Sequence, residues 1–248
     1  FGERLSTSPG VREHHGKVIV VKYGGAAMDT AGSLGGLASS CAEDIALLQS
    51  AGITAVVVHG GGPQVTNLSE RLGIETTFVD GLRVTDAATL DVATMVLAGK
   101  LNTEVVASLV TGGVRAVGLS GVDGGLLLAR KQSGPDLGFV GEVVHVNADV
   151  LRTLTDQRFV PVVASIGVTA EGALLNVNAD VLAARLAAAL RCRQLVIAGT
   201  TAGVLDADGR TIDDLDLPMV DALVAGGTAT DGMVAKLSAC RAALAAGV

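Results

Sequence analysis

Lys22 closes the apolar run VIVVK and is followed, after Tyr23, by Gly24 and Gly25. A cation at the end of a buried strand, pointed into a glycine turn, is suited to meeting an anion. A second apolar run ends in His59, Gly60, Gly61 and Gly62, and Pro63 then opens a helix. Consecutive glycines let backbone N–H groups approach an anion, and the helix N-terminus adds partial positive charge. Each loop taken alone also reads as a tight strand-to-helix turn.

Three further stretches carry polar groups at element junctions. GLRVTD places Arg83 in a glycine-initiated loop before a helix, where a fixed guanidinium suits a carboxylate. A surface arginine near a helix start is the plain alternative. NVNAD brings Asn176, Asn178 and Asp180 to a strand-to-helix junction. Asp180 reads equally as a helix N-cap, whereas two alternating asparagines on one side of an extended segment are harder to explain as capping. TDGMVAK begins a helix and sets Lys236 about one turn in, where an exposed helix lysine is the default. Established phosphate and hydrolase signatures are absent. Gly99-Lys100 is followed by Leu101, without the P-loop's upstream glycine, and GLSGV is not a nucleophile elbow.

The elements that must position these residues alternate regularly. Apolar, β-branched runs predict strands over 17–23, 55–58, 116–119, 159–164 and 194–198. Ala/Leu-rich stretches predict helices over 35–50, 63–72, 87–111, 180–190 and 232–246. Continuous apolar strands between helices indicate a doubly wound α/β fold with a mostly parallel sheet. In such a sheet ligands gather beyond the carboxyl ends of the strands, where the residues above fall. Residues 121–145 read as a β-hairpin excursion and 170–176 as a second, shorter hairpin. Residues 1–16 are polar, carry Pro9 and Gly10, and read as an N-terminal arm.

Composition removes several functional classes. The chain has 248 residues, 49% hydrophobic and 17% charged, with net charge −7. Its apolar runs are of strand length, short of the ~20 residues that span a bilayer. No Lys/Arg run supplies a nucleic-acid footprint, and one tyrosine, four phenylalanines and no tryptophan leave few stacking platforms. Cys41, Cys192 and Cys240 are widely spaced in Ala/Leu-rich segments. They read as core thiols of a reduced, cytoplasmic protein. No metal-ligand cluster is expected.

Taken in order, the segments VVKYGGAAM, VVHGGGPQV, FVDGLRVTD, AVGLSGVDGG, DLGFVGEV, PVVASIGV, LLNVNAD, AGVLDADG and TDGMVAK resemble the amino-acid kinase family. Within it they are similar to the acetylglutamate kinases of arginine biosynthesis, and FVDGLRVTD with NVNAD separates them from carbamate and aspartate kinases. The resemblance runs from about Lys17 to the end. It implies a three-layer αβα sandwich of the carbamate kinase-like fold, with residues 17–190 as acceptor lobe and 191–248 as nucleotide lobe. It also implies Lys22 and Lys236 as stabilisers of the transferring phosphoryl group, with Asp180 holding them. Gly60, Gly61, Gly62, Arg83, Asn176 and Asn178 would bind N-acetyl-L-glutamate. ATP with Mg²⁺ would lie against Gly24, Gly25, Gly199, Thr200, Thr201, Gly203, Leu205, Thr228, Thr230 and Gly232. A homodimer or higher homo-oligomer, with arginine feedback, belongs to the same set of expectations.

The implied chemistry needs no general base. A side-chain carboxylate, with an ordinary pKa of roughly 4.3, is already ionised at neutral pH. His14, His15, His59 and His145 are then structural or solvent-facing. The need is charge compensation, because an anion attacks a polyanion. Two departures from the family pattern stand out. Gly199-Thr200 follows the strand at 194–198 where an acid that positions the nucleotide is expected, with Thr200 and Thr201 as substitutes. Family chains usually continue past the last helix with further strand, so the stop at Val248 reads either as a trimmed sequence or as an incomplete lobe, and the start at Phe1 without methionine as a missing upstream piece. Two other readings follow: a catalytically weak regulatory domain of the kind fused in acetylglutamate synthases, and a kinase for carrier-linked aminoadipate.

Overall fold

A computed structural model describes residues 13–24, 37–79, 81–199, 203–206, 208–225 and 231–248. The chain runs through β1 (Val18–Tyr23), α1 (Leu37–Ser50), β2 (Thr54–His59), α2 (Gly62–Arg71), β3 (Phe78–Val79) and β4 (Leu82–Arg83). Next come α3 (Ala87–Thr94), a π-helical stretch over Met95–Leu101, and α4 (Asn102–Thr111). It continues through β5 (Ala116–Ser120), β6 (Leu127–Lys131), β7 (Val140–Val146), α5 (Asp149–Asp156), β8 (Val160–Ala164), β9 (Ile166–Val168) and β10 (Leu174–Val177). The last elements are α6 (Ala179–Leu190), β11 (Leu195–Ala198), α7 (Leu217–Ala225) and α8 (Asp231–Ala245).

The five predicted apolar strands form one parallel sheet in the order β11-β1-β2-β8-β5. Side chains alternate across it. Ile19, Val21, Ala55 and Val57 pack against Cys41, Ile45, Val105 and Leu109 of α1 and α4. Val20, Val56, Val58 and Val163 pack against Leu151, Leu182 and Leu186 of α5 and α6. Both faces are therefore covered, and each fully buried Val, Leu or Ile contributes about 1.5–3 kcal/mol. The same alternation assigns Lys22 to the α6 side, two residues beyond Val20.

The expected hairpin over 121–145 forms as β6 and β7, whereas the second hairpin starts earlier than 170–176 because its first strand is β9 at Ile166–Val168, and the two hairpins pair with each other. β6 lies antiparallel to β7, β9 antiparallel to β10, and β10 parallel to β7, closing a small barrel in the order β10-β7-β6-β9. Gly141 and Gly167 permit this closure, because a Cβ at 141 would lie 2.8 Å from Leu175 Cβ and one at 167 would lie 3.1 Å from Ala129 Cβ. The expected helix over 87–111 is continuous but not uniformly α-helical, since its middle widens into the π turn. By length and composition this 25-residue stretch is long and apolar enough to cross a bilayer. Val92, Ala93, Val96, Leu97, Leu101, Val105 and Leu109 are nevertheless buried in the protein core, as in a core helix of a folded domain.

Candidate active site

Lys22 and Asp180 meet although far apart in sequence. Nζ of Lys22 is 2.7 Å from Oδ1 of Asp180, and both residues are buried. The backbone at the β10–α6 junction explains the meeting. Asn178 Oδ1 accepts from the N–H groups of Asp180 at 2.9 Å and Val181 at 3.1 Å, so Asn178 is the N-cap. This corrects the capping alternative for Asp180. Asparagine is a preferred cap, and by filling that position it leaves the Asp180 carboxylate, in the first turn, to face Lys22.

The glycine loop is held through its carbonyls. Gly61 O accepts from Val65 N–H at 2.9 Å, and Gly62 O accepts from Arg83 Nη2 at 2.8 Å. Arg83 Nη2 also donates to Thr66 Oγ1 at 2.8 Å, and its guanidinium lies 4.8 Å from the centre of the Phe78 ring. Burial pushes the Arg83 pKa downward. Its Nη1 is buried and has no hydrogen-bond partner among the described residues, leaving a donor for an anionic ligand. Asn176 Nδ2 donates to Thr85 Oγ1 at 3.2 Å, and Thr85 Oγ1 donates to the Arg83 carbonyl at 3.0 Å. The NVNAD and GLRVTD segments are thereby tied together.

These residues share one cavity of about 220 Å³. Lys22, Gly60, Gly61, Gly62, Arg83, Asn176, Asn178 and Asp180 all line it, while Val65, Phe78, Leu97 and Val140 supply apolar wall. A second cavity, about 460 Å³, shares Leu82 and Asn178 with the first. Val181 at the start of α6 and Val234, Ala235 and Ser238 at the start of α8 line it. Ala184 of α6 packs with Ala239 and Ala243 of α8, a small-residue seam between the two helices. Each N-terminus adds partial positive charge. Lys236 is half-buried on α8, beside this second cavity rather than in the first.

The nucleotide-side candidates are less gathered. Gly24 ends β1 and donates its N–H to Ala198 O at 3.2 Å, and Gly199 follows β11. Leu205 bridges to Thr211, Gly203 packs close to Thr211, and Gly232 lies in α8. Gly24, Gly199, Gly203 and Leu205 line neither cavity. Gly25, Thr200, Thr201, Thr228 and Thr230 fall outside the described residues. Among the described residues no group of three or more His, Cys, Asp or Glu side chains is placed to hold a metal ion. Sequence reasoning passed over Thr66, Phe78 and Thr85. Thr85 stands two positions after Arg83 in an extended segment, and that alternation was the available signal.

Comparison with known proteins places the fold in a family. A model of the amino acid kinase family matches residues 17–248. The chain is 46% identical over 252 residues to an acetylglutamate kinase of Sphingopyxis alaskensis, covering 97% of this chain and 82% of that one. Among solved structures it resembles an N-acetylglutamate synthase from Neisseria gonorrhoeae complexed with coenzyme A and N-acetylglutamate. There the TM-score is 0.85 at 26% identity, over 100% of this chain and 56% of that one. A carbamate kinase from Giardia lamblia shares the fold at a TM-score of 0.67 and 16% identity, over 93% of this chain and 90% of that one.

Proposed function

The chain belongs to the amino acid kinase family, and from that premise we propose that it transfers the γ-phosphoryl group of ATP to the side-chain carboxylate of N-acetyl-L-glutamate. The observation that carries this reading is the buried Lys22–Asp180 pair in one cavity with Arg83 and the glycine loop. The acceptor's α-carboxylate pairs with Arg83 through its unpartnered Nη1. Asn176 and Asn178 contribute amide groups beside it. The side-chain carboxylate, already ionised, then faces Lys22 and the amides of the glycine loop.

Attack of that carboxylate oxygen on the γ-phosphorus forms a mixed anhydride and releases ADP. Charge builds on the equatorial oxygens, and Lys22, oriented by Asp180, offsets it together with the helix N-termini. ATP arrives as its Mg²⁺ complex, with the metal held mainly by phosphate oxygens. Nucleotide contacts come from residues 191–248, and Lys236 approaches from α8 through the second cavity. Residues 17–190 form the acceptor side. Exposed Met95 and Val110 on the long helix support a homodimer, which sizing by light scattering tests. Free thiols at Cys41, Cys192 and Cys240 support a reducing, cytoplasmic setting.

The test is ADP release by the purified chain with Mg-ATP, with and without N-acetylglutamate, and again with arginine added. Acceptor-dependent release supports the kinase. The alternative is a domain that binds acetylglutamate or arginine without turnover, which the likeness to acetylglutamate kinases does not favour. Saturable binding with no acceptor-dependent ADP would select it. Turnover on a carrier-linked aminoadipate in preference to N-acetylglutamate would instead move the acceptor assignment.

A further inference from the structure

His59 closes β2 immediately before the glycine loop and is fully buried. Its Nδ1 lies 3.0 Å from the Gly60 carbonyl, and its Nε2 lies 3.1 Å from Asn102 Nδ2. The orientation of the Asn102 amide is fixed by its other contacts. The same Nδ2 reaches the Val162 carbonyl at 2.9 Å and the Leu119 carbonyl at 3.3 Å, both acceptors only. A donor against Nε2 requires a lone pair there. The proton of the neutral ring therefore sits on Nδ1 and is donated to Gly60 O. Burial acts in the same direction, disfavouring the charged ring.

Asn102 is placed by the π turn. It is the first residue after Met95–Leu101, and π turns of this kind often mark functional sites. Leu97 and Leu101 of that turn press on Gly61, where any Cβ would run into both. Gly118 supplies the matching space on the other side, since a side chain there would collide with the Asn102 amide oxygen. One helix thus holds two successive members of the glycine loop, Gly60 through a hydrogen-bond relay and Gly61 through packing.

The consequence lies in what the loop shows to the cavity. All three of its carbonyls are occupied: Gly60 by His59, Gly61 by Val65 N–H and Gly62 by Arg83. A carbonyl swung inward would set a partial negative charge against a polyanion, whereas occupied carbonyls leave the Gly61 and Gly62 N–H groups to face it, the Gly60 N–H being given to the Tyr23 carbonyl at 3.2 Å. We infer that His59, locked in its Nδ1–H form by Asn102, is a positioning residue that holds the Gly60 carbonyl out of the phosphoryl-transfer path. This rests on the phosphotransfer reading of the site. His59 itself touches no reacting atom and moves no proton.

Long-range ¹H–¹⁵N correlation of histidine-labelled protein reads the tautomer without substrate, and the expected result is neutral Nδ1–H for His59. Asn102→Ala removes the lock. It should shift His59 toward the Nε2–H form and lower kcat about tenfold, with KM for both substrates within about twofold. His59→Asn keeps a donor near the place of Nδ1 and should retain more kcat than His59→Gln, whose amide falls near Nε2. An active wild type carrying the Nε2–H form overturns the inference alone. So does a tautomer switch in Asn102→Ala with kcat unchanged, or equal kcat in the two His59 variants. A wild type without acceptor-dependent turnover overturns the phosphotransfer reading first, and this inference with it.

Discussion

The ammonium of Lys22 and the carboxylate of Asp180 lie 2.7 Å apart, with only 6% and 10% of their side chains exposed. This contact joins the end of β1 to the first turn of α6 on the face where the glycine loop ends. Two charges removed from water persist because each satisfies the other, and removing one strands its partner. Asp180→Ala is expected to cost about 3–5 kcal/mol in urea unfolding and to lower kcat by at least about a hundredfold. Lys22→Met with Asp180→Leu should recover most of the stability and none of the activity. Activity in that double variant would mean that the pair serves folding alone.

Arg83 differs in kind, because the proposed function assigns acceptor recognition to its fork geometry. Nη2 is already committed to Gly62 and Thr66, and Nη1 is the buried donor left over. Lysine in its place supplies charge without the fork. Arg83→Lys is therefore expected to raise KM for N-acetylglutamate about ten- to a hundredfold, with KM for ATP within about twofold. Steady-state kinetics with each substrate varied in turn decide this. An unchanged acceptor KM would remove Arg83 from the binding site.

Much of this site was legible in the sequence, because strand parity and glycine runs are local signals. VIVVK placed Lys22 on one face, and NVNAD placed Asn176 and Asn178 on one side of the chain. Other features depended on distant partners. Asn178 proved to be the cap rather than Asp180, whose carboxylate is held by the distant Lys22. The π turn before Asn102 arises where Leu97 and Leu101 meet Gly61, and no periodicity in 87–111 announces it. α5 and α7 were not expected. The first is a short, threonine-containing helix between strands, and the second carries Pro218 in its first turn, where proline is tolerated rather than breaking. Barrel closure through β10 and β7 pairs segments far apart in sequence.

The burial of His59 also predicts a pH dependence. Desolvation lowers its pKa from the ordinary 6.5. Unfolding restores the ordinary value, so below that pH the unfolded chain takes up a proton that the folded chain refuses. Stability from this group is whole above 6.5 and falls as pH falls, by up to about 1.4 kcal/mol per pH unit. Asp86, held low by the Thr89 N–H, loses its contribution only near the carboxylate range around 3.8. Urea unfolding between roughly pH 7 and 5 should show the decline, with a shallower slope in His59→Asn. Parallel slopes would place the decline elsewhere.

The cysteines are predicted to be inert in the folded protein. Burial pushes the Cys41 thiol up to about 11 and the Cys192 thiol up to about 12. Thiolate, the reactive form, is then scarce near pH 8. Alkylation of both should be at least about a hundredfold slower in the native protein than in urea, read by peptide mass spectrometry. Rapid labelling of Cys41 under native conditions would show that the α1 face of the sheet opens readily.

Phosphoryl transfer to the acceptor's side-chain carboxylate leaves an acyl phosphate that can be trapped. The chain is incubated with Mg-ATP and N-acetylglutamate in the presence of hydroxylamine, which converts a carboxyl phosphate to a hydroxamate. Hydroxamate is expected in step with ADP, dependent on the acceptor and lost in Lys22→Ala. ADP release without hydroxamate, or hydroxamate undiminished in Lys22→Ala, would contradict the proposed chemistry.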